Sequence, residues 1–283
     1  MTKVGIHSYF YEHARAKGED GNFRFDFIDG ENYAYEQIRE HFEEELKAIK
    51  PFGKSAFIYI SSAANAYIKE DKALQIKKNI GYIASKTARI FEYDFSLLEV
   101  DANLCASGLS AIKKAYELLN KDFDSVLIYG QNTLTPDTIA LFNELKLDIP
   151  LCEGVCAFLL SKKGFRSEIL GGEVIYNKTD ASPLSISSAG YEKAYKWAKN
   201  EKIYGVKAHA SGTKANEEAE LKAIEKTFGS CRYLNYKQEI GHSLDISALI
   251  ELGKFLDDGI RGKWLFSASG FGNIYASLAI NAI

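Results

Sequence analysis

The sequence predicts an α/β protein whose sheets are covered by helices on both faces, built from two similar halves. Three observations lead there. Short apolar, β-branched runs alternate with helix-patterned stretches along the chain, as layered α/β folds require. The alternation occurs twice, with about five strand-like runs on each side of a join near Lys162–Arg166. Only four prolines and no low-complexity tract occur in 283 residues, so no flexible linker is expected. The expected organisation is one compact unit with an N-terminal half at 1–163 and a C-terminal half at 164–283.

Taken in order, the strand-like runs of the first half are KVGIHSYFY, KSAFIYISS, LLEVD, SVLIYG and VCAFLLSK. Those of the second are EILGGEVIYN, IYGVKAHAS, RYLNYKQ, KWLFSASG and YASLAINA. Arg15–Gly30, glycine-rich, charged and aromatic, is expected to be a loop that covers a pocket or reaches a partner. In DANLCASGLSAIKKAYELL, Leu109, Ile112, Tyr116 and Leu119 recur at i, i+3, i+7 and i+10, with Lys113, Lys114 and Glu117 elsewhere. That segment is predicted to be an amphipathic helix.

Cys105 stands where this helix begins. Unpaired N–H groups and the positive dipole end there are expected to favour thiolate over thiol. Ala106, Ser107 and Gly108 leave the approach to the sulfur uncrowded. Two later segments, VKAHASGT and KQEIGHSL, each place a histidine close to glycine, His209 and His242, and the three elements together suggest a thiol enzyme. The alternatives are a buried structural cysteine and buried, hydrogen-bonded imidazoles. His7, His13 and His41 lie in aromatic or charged surroundings and read as structural or solvated. Cys152, Cys156 and Cys231 show neither CxxC spacing nor a histidine partner; they read as apolar filler, and no metal is expected.

These residues also carry a family resemblance. DANLCASGLSAI resembles the nucleophile segment of the β-ketoacyl-[acyl carrier protein] synthases of the thiolase superfamily, LTPDTIALFNELK the helix after it, and GVCAFLLSKK the central strand. VKAHASGTKANEEAE resembles the HGTGT segment, KQEIGHSL the KxxxGH segment, and SASGFGN the glycine-phenylalanine-glycine loop. The likeness runs from about Phe95 to the C-terminus. It implies a thiolase-like αβαβα layered sandwich made of two duplicated halves, Cys105 coming from the first and both histidines from the second.

What the resemblance implies for function is acyl transfer to Cys105 followed by decarboxylative Claisen condensation with malonyl carrier protein, in fatty acid or polyketide-type synthesis. Backbone N–H groups of Cys105 and Phe271 would form the oxyanion hole, with Phe271 also the gate. His209 and His242 would hold the enolate oxygen. Lys237 and Glu220 would pair behind them, and Gly270, Gly272, Ser211 and Thr213 would line the substrate pocket. No cofactor is implied. The partners implied are acyl carrier protein and either a second copy, in a homodimer, or another ketosynthase, in a heterodimer. Acyl transfer without elongation, or a non-catalytic partner subunit, are the alternatives.

Departures from the family pattern bear on that choice. Ala210 replaces the usual glycine after the first histidine, Ser269 the phenylalanine opening the last loop, and Asn273 its last glycine; Asp245 stands where small residues are usual. The chain is also shorter than ordinary members, chiefly before Cys105 and around LKLDIPLCEG. Composition is that of a cytoplasmic globular enzyme, with 46% apolar residues, four cysteines and no apolar run of bilayer-spanning length. A net charge of −3 with no long basic run gives no reason to expect nucleic acid. Lys193, Lys196, Lys199 and Lys202 are a candidate patch for an acidic carrier protein, with a solvated helix face as the alternative.

Overall fold

The computed structural model describes residues 3–28, 34–61, 79–146, 148–182 and 185–283. Its first part runs β1 (Val4–His13), β2 (Ala16–Lys17), β3 (Phe23–Arg24), α1 (Ala34–His41), α2 (Glu43–Ala48), β4 (Ser55–Ile60), α3 (Ile80–Ala88), β5 (Leu97–Asp101), α4 (Ser107–Leu119), β6 (Ser125–Asn132), α5 (Pro136–Glu144) and β7 (Gly154–Ser161). The second part runs β8 (Ser167–Tyr176), α6 (Ser188–Tyr195), β9 (Gly205–Lys207), α7 (Lys214–Phe228), β10 (Arg232–Leu234), α8 (Lys237–Ile240), α9 (Ser247–Asp257), β11 (Gly262–Gly270) and β12 (Ile274–Ala282).

Apart from β2 and β3, which pair with each other, the strands join in the order β10-β9-β11-β12-β8-β1-β7-β6-β4-β5. The order is mirrored about its centre. From each outer edge inward come two parallel pairings and then two antiparallel ones. At the middle, β1 and β8 share only three residue pairs, Val4 to Ile6 against Ser167 to Ile169. Every residue of β4, β6 and β7 is buried, which is why these strands are nearly unbroken apolar runs rather than alternating ones.

Three apolar clusters define the layers. One face of the first five strands packs on α1, α2 and α3 through Ile38, Leu46, Phe57, Ile83 and Leu127. One face of the second five packs on α6 and α7 through Tyr191, Tyr195, Ile224 and Leu265. Between the two five-stranded halves of this sheet, which meet only at the short β1–β8 pairing, lie α4 and α9, joined to both by Leu109, Ile112, Phe158, Leu249, Phe255 and Phe266. The result is five layers with a central helical one. Its helices are buried nearly all round at their starts: Ser107 to Ile112 in α4 and Ser247 to Gly253 in α9 have no exposed side. The amphipathic pattern of α4 becomes true only in its second half, where Lys113, Lys114 and Glu117 leave the core.

Two local expectations change. RYLNYKQ is a strand only to Leu234; the Asn235 side chain accepts the Lys237 backbone N–H at 3.0 Å and starts α8 instead. Arg15–Gly30 contains the β2–β3 ladder, with the Phe23 N–H donating to the Leu151 carbonyl at 2.8 Å; residues 29 and 30 lie outside the described part. No helix among the described residues is long and apolar enough to cross a membrane.

Candidate active site

β5 delivers the chain to Cys105. The Asp101 carboxylate at its end accepts from the Asn103 side chain at 3.1 Å and from the Ser110 hydroxyl at 2.6 Å, tying strand end to the first turn of α4. Leu104 takes a φ of +52°, which swings Cys105 into a tight turn, Leu104–Ala106, ahead of the helix. The end of β11 crosses this turn so closely that a Cβ on Gly270 would sit 2.6 Å from the Asn103 carbonyl oxygen. Glycine is required there by contact.

The thiol does not behave as its place before a helix suggests. Burial pushes Cys105 up to about 12, the Asp245 carboxylate adds to the effect, and Lys237 opposes it. Desolvation of the charged form outweighs the helix end. At neutral pH the residue is a thiol, so it needs a proton acceptor to act as a nucleophile.

His209 follows β9 and is fixed by its backbone. The Glu220 carboxylate accepts the N–H of His209 at 2.7 Å and of Ala210 at 2.9 Å, and the Lys237 ammonium donates to the His209 carbonyl. Ala210 has a φ of +45°, a region that costs a non-glycine residue about 1–2 kcal/mol. The two bonds to Glu220 hold it there. His242 is anchored beside Leu151: its N–H donates to the Pro150 carbonyl at 2.8 Å, and its carbonyl accepts from Cys152 at 3.0 Å. Its Nδ1 accepts the Leu244 N–H at 2.9 Å, which leaves the ring proton on Nε2. The two imidazoles stand 5.8 Å apart and nearly perpendicular, at 85°.

Both are neutral. Burial, then the Lys237 charge, holds His242 at about 3 and His209 well below the usual imidazole range. Unfolding returns both to near 6.5, so between those limits the unfolded chain binds more protons and stability falls as pH falls. The expected result is loss of stability below about pH 6.5, at up to about 1.4 kcal/mol per pH unit for each imidazole. Urea unfolding between pH 7.5 and 5 measures it, and replacing either histidine by asparagine should flatten the slope.

The ammonium–carboxylate pair is formed by a different acid from the one expected. Lys237 pairs with Glu251 of α9 at 2.8 Å, not with Glu220, and Lys207 pairs with the other oxygen of the same carboxylate. The Ser247 hydroxyl also donates to Glu251, at 2.9 Å. Burial alone would raise Glu251; the two ammoniums outweigh it and hold the carboxyl at about 2. Glu220 instead serves the His209 loop.

These segments enclose a cavity of about 120 Å³. Cys105, His209 and His242 meet there, with Ser211 and Thr213 beside them and Gly270 and Phe271 closing one side. Lys237 and Glu220 lie behind the histidines, and Gly272 sits in the turn after Phe271, off the cavity wall. Phe142 and Leu145 supply an apolar wall that the sequence reading did not single out; the Phe142 ring is 6.2 Å from His242 and 6.4 Å from Phe271. Ile186, Asn216 and Ser269 complete the lining. Ser269, in place of an aromatic ring, joins a polar cluster with Tyr191, at 2.8 Å, and Asn216. Asn273 holds a φ of +61°, which asparagine tolerates better than most residues.

Residues 176–257, which include both histidines, Lys237 and Glu251, match the family model of the β-ketoacyl synthase C-terminal domain. No curated protein sequence matches the chain. Among solved structures, the ketosynthase from module 6 of the bacillaene synthase of Bacillus subtilis 168 superposes with a TM-score of 0.78 at 13% identity, over 99% of this chain and 72% of that one. The ishigamide ketosynthase/chain length factor gives 0.77 at 16% identity, over 100% of this chain and 99% of that one. The AntDE:AntF complex, a type II polyketide synthase acyl-carrier protein with its ketosynthase bound to the hexaketide, gives 0.76 at 15% identity with full coverage of both chains. The fold is that of the ketosynthases, thiolase-like. Residues 176–257 carry the match to the β-ketoacyl synthase C-terminal domain, and the chain as a whole shares its fold with these ketosynthases.

Proposed function

We propose that the chain is a β-ketoacyl-acyl carrier protein synthase-like transferase, working in polyketide-type or fatty acid synthesis. The observation that carries this reading is the meeting of Cys105 with His209 and His242, from three separate segments, in one cavity. In the first step the Cys105 sulfur attacks the thioester carbonyl of an acyl carrier protein. Its proton passes through a neutral imidazole to the departing carrier thiol. The backbone N–H groups of Cys105 and Phe271 receive the oxyanion. In the second step a malonyl thioester lies with its carbonyl oxygen between the imidazoles; carbon dioxide leaves, and the enolate is held by N–H donors aimed at it, one of them the His242 Nε2–H. The enolate carbon then attacks the acyl thioester carbonyl, and the Cys105 sulfur leaves and takes up a proton from water, which returns it to the thiol.

Neutral imidazoles suit this work, because each keeps one donor and one acceptor. Lys237 places a fixed positive charge behind them while its own charge is engaged by Glu251. Ser211 and Thr213 would receive the carrier's amide arm. The cavity volume is near that which admits a six-carbon ring, so short acyl groups fit best. The carrier protein and the partner subunit come to this reading from the relatives. Among the described residues β5 ends the strand order, and its outer edge is where a two-fold partner, a second copy or another ketosynthase, would pair. The mirrored strand order supports two duplicated halves, 1–163 and 164–283, and the four unpaired cysteines suit a cytoplasmic protein.

The test is incubation of the purified chain, alone and with candidate ketosynthase partners, with short acyl and malonyl carrier thioesters. A β-ketoacyl carrier product with release of carbon dioxide is the expected result. An acyl adduct without decarboxylation points to acyl transfer without elongation, and the absence of both overturns the reading.

A further inference from the structure

One wall of the Cys105 cavity is polar, formed by Ser211, Asn216 and Ser269, while Phe142 and Phe271 supply apolar surface. All three polar side chains are buried. Their hydrogen bonds therefore go to neighbouring protein groups or to a guest in the cavity. The Tyr191 hydroxyl, behind this wall, donates to the Asn216 Oδ1 at 2.7 Å. Its single proton is engaged there, so in the 2.8 Å contact between Tyr191 and Ser269 the donor is the Ser269 hydroxyl. Asn216 directs its Nδ2 to the Ser211 Oγ at 2.7 Å and comes no closer than 3.5 Å to the Ser269 Oγ. Ser269 thus gives its proton to Tyr191 and keeps accepting capacity that the long Asn216 contact fills only weakly. Its position suits a short group on Cys105. The next residue, Gly270, touches the Cys105 turn, where a Cβ would lie 2.6 Å from the Asn103 carbonyl oxygen and 3.5 Å from the Ala106 nitrogen.

We propose that Ser269 is a specificity-determining residue that accepts a hydrogen bond from a hydroxyl on the acyl group, so that the Cys105 position takes short hydroxyacyl groups in preference to unsubstituted ones of the same size. The inference rests on the reading of Cys105 as the acylated residue. A methyl group against the Ser269 oxygen leaves a buried acceptor unmatched, whereas a hydroxyl fills it. A carbonyl offers no proton and gains nothing at that atom. Ser211 and Thr213 extend the polar wall: their hydroxyls lie 3.1 Å apart, and whichever donates to the other, one proton of the pair remains for the carrier's arm or for the oxygen of the bound hydroxyl. Phe142 and Phe271 take the hydrocarbon part of the group.

The test labels Cys105 of the full chain with methanethiosulfonates that differ only in a terminal hydroxyl or methyl, hydroxyethyl against propyl and hydroxypropyl against butyl. In each case the sulfur forms a disulfide with the transferred thioalkyl group, methanesulfinate leaves, and the thiol proton goes to solvent. The modified peptide is identified by mass, and each rate is divided by that of mercaptoethanol with the same reagent. The wild-type chain is expected to favour the hydroxyl arm in at least one pair, and Ser269→Ala to lower that hydroxyl-to-methyl ratio about fivefold, the worth of one hydrogen bond. Ser269→Gly is the second variant, and thermal unfolding verifies that each folds. A wild-type chain that favours the methyl arm in both pairs, or a ratio that falls by less than about twofold in a folded variant, overturns the proposal. Labelling needs neither carrier protein nor acyl transfer. A chain with the hydroxyl preference but no acyl adduct would therefore refute the function and leave the role of Ser269 standing.

Discussion

Cys105→Ala is expected to abolish any covalent acyl adduct while leaving the protein folded. The loss should be complete because the other thiols are badly placed. Cys152 and Cys156 are fully buried, and burial holds both thiols high, Cys152 at about 12. Cys231 is half-exposed but packs beside the Tyr195 and Ile224 cluster, away from the cavity lining. The structural cost is small. Alanine keeps the Cβ, accepts the turn after Leu104 and already occupies position 106, so stability should change by no more than about 1 kcal/mol. Intact mass after incubation with acyl carrier thioesters measures the adduct, and thermal unfolding checks the fold. An adduct of wild-type extent on the variant would place the nucleophile elsewhere.

What the sequence made legible follows from what a linear pattern can carry. The buried strands were readable because Ser55–Ile60, Ser125–Asn132 and Gly154–Ser161 are apolar on both faces, a property of the strand itself. Cys105, His209 and His242 were readable because each sits in a short segment whose glycines and small residues signal a tight turn near a ligand. Lys207 and Glu251 were not. A lysine at a strand end and a glutamate on a helix look solvated until the fold brings β9, α8 and α9 together and buries both completely. Phe142 looked like the ordinary apolar face of a short helix. The thiol's ionisation was misread for a related reason: the helix start is local and visible, whereas the burial that outweighs it and the facing Asp245 are tertiary.

Glu251→Ala is expected to destabilise the protein by about 3–5 kcal/mol, a large share of the total for a domain of this kind. Glu251 is the shared partner of two fully buried ammoniums, Lys207 and Lys237, and accepts a third bond from Ser247. Deleting it leaves two like charges in the interior, and the cost falls on their desolvation and mutual repulsion more than on the lost contacts. The damage should reach the site, because Lys237 also donates to the His209 carbonyl. A lysine pushed away from its neighbour would release that loop, where Ala210 already sits in an unfavourable conformation. Lys207→Met should recover part of the loss in the Glu251→Ala background, since one buried charge then remains instead of two, and the two substitutions should be strongly non-additive. Urea unfolding of the two single variants and the double variant measures all three terms. A Glu251→Ala variant within about 1 kcal/mol of the wild type would mean that the two ammoniums are not held as charges in the folded interior.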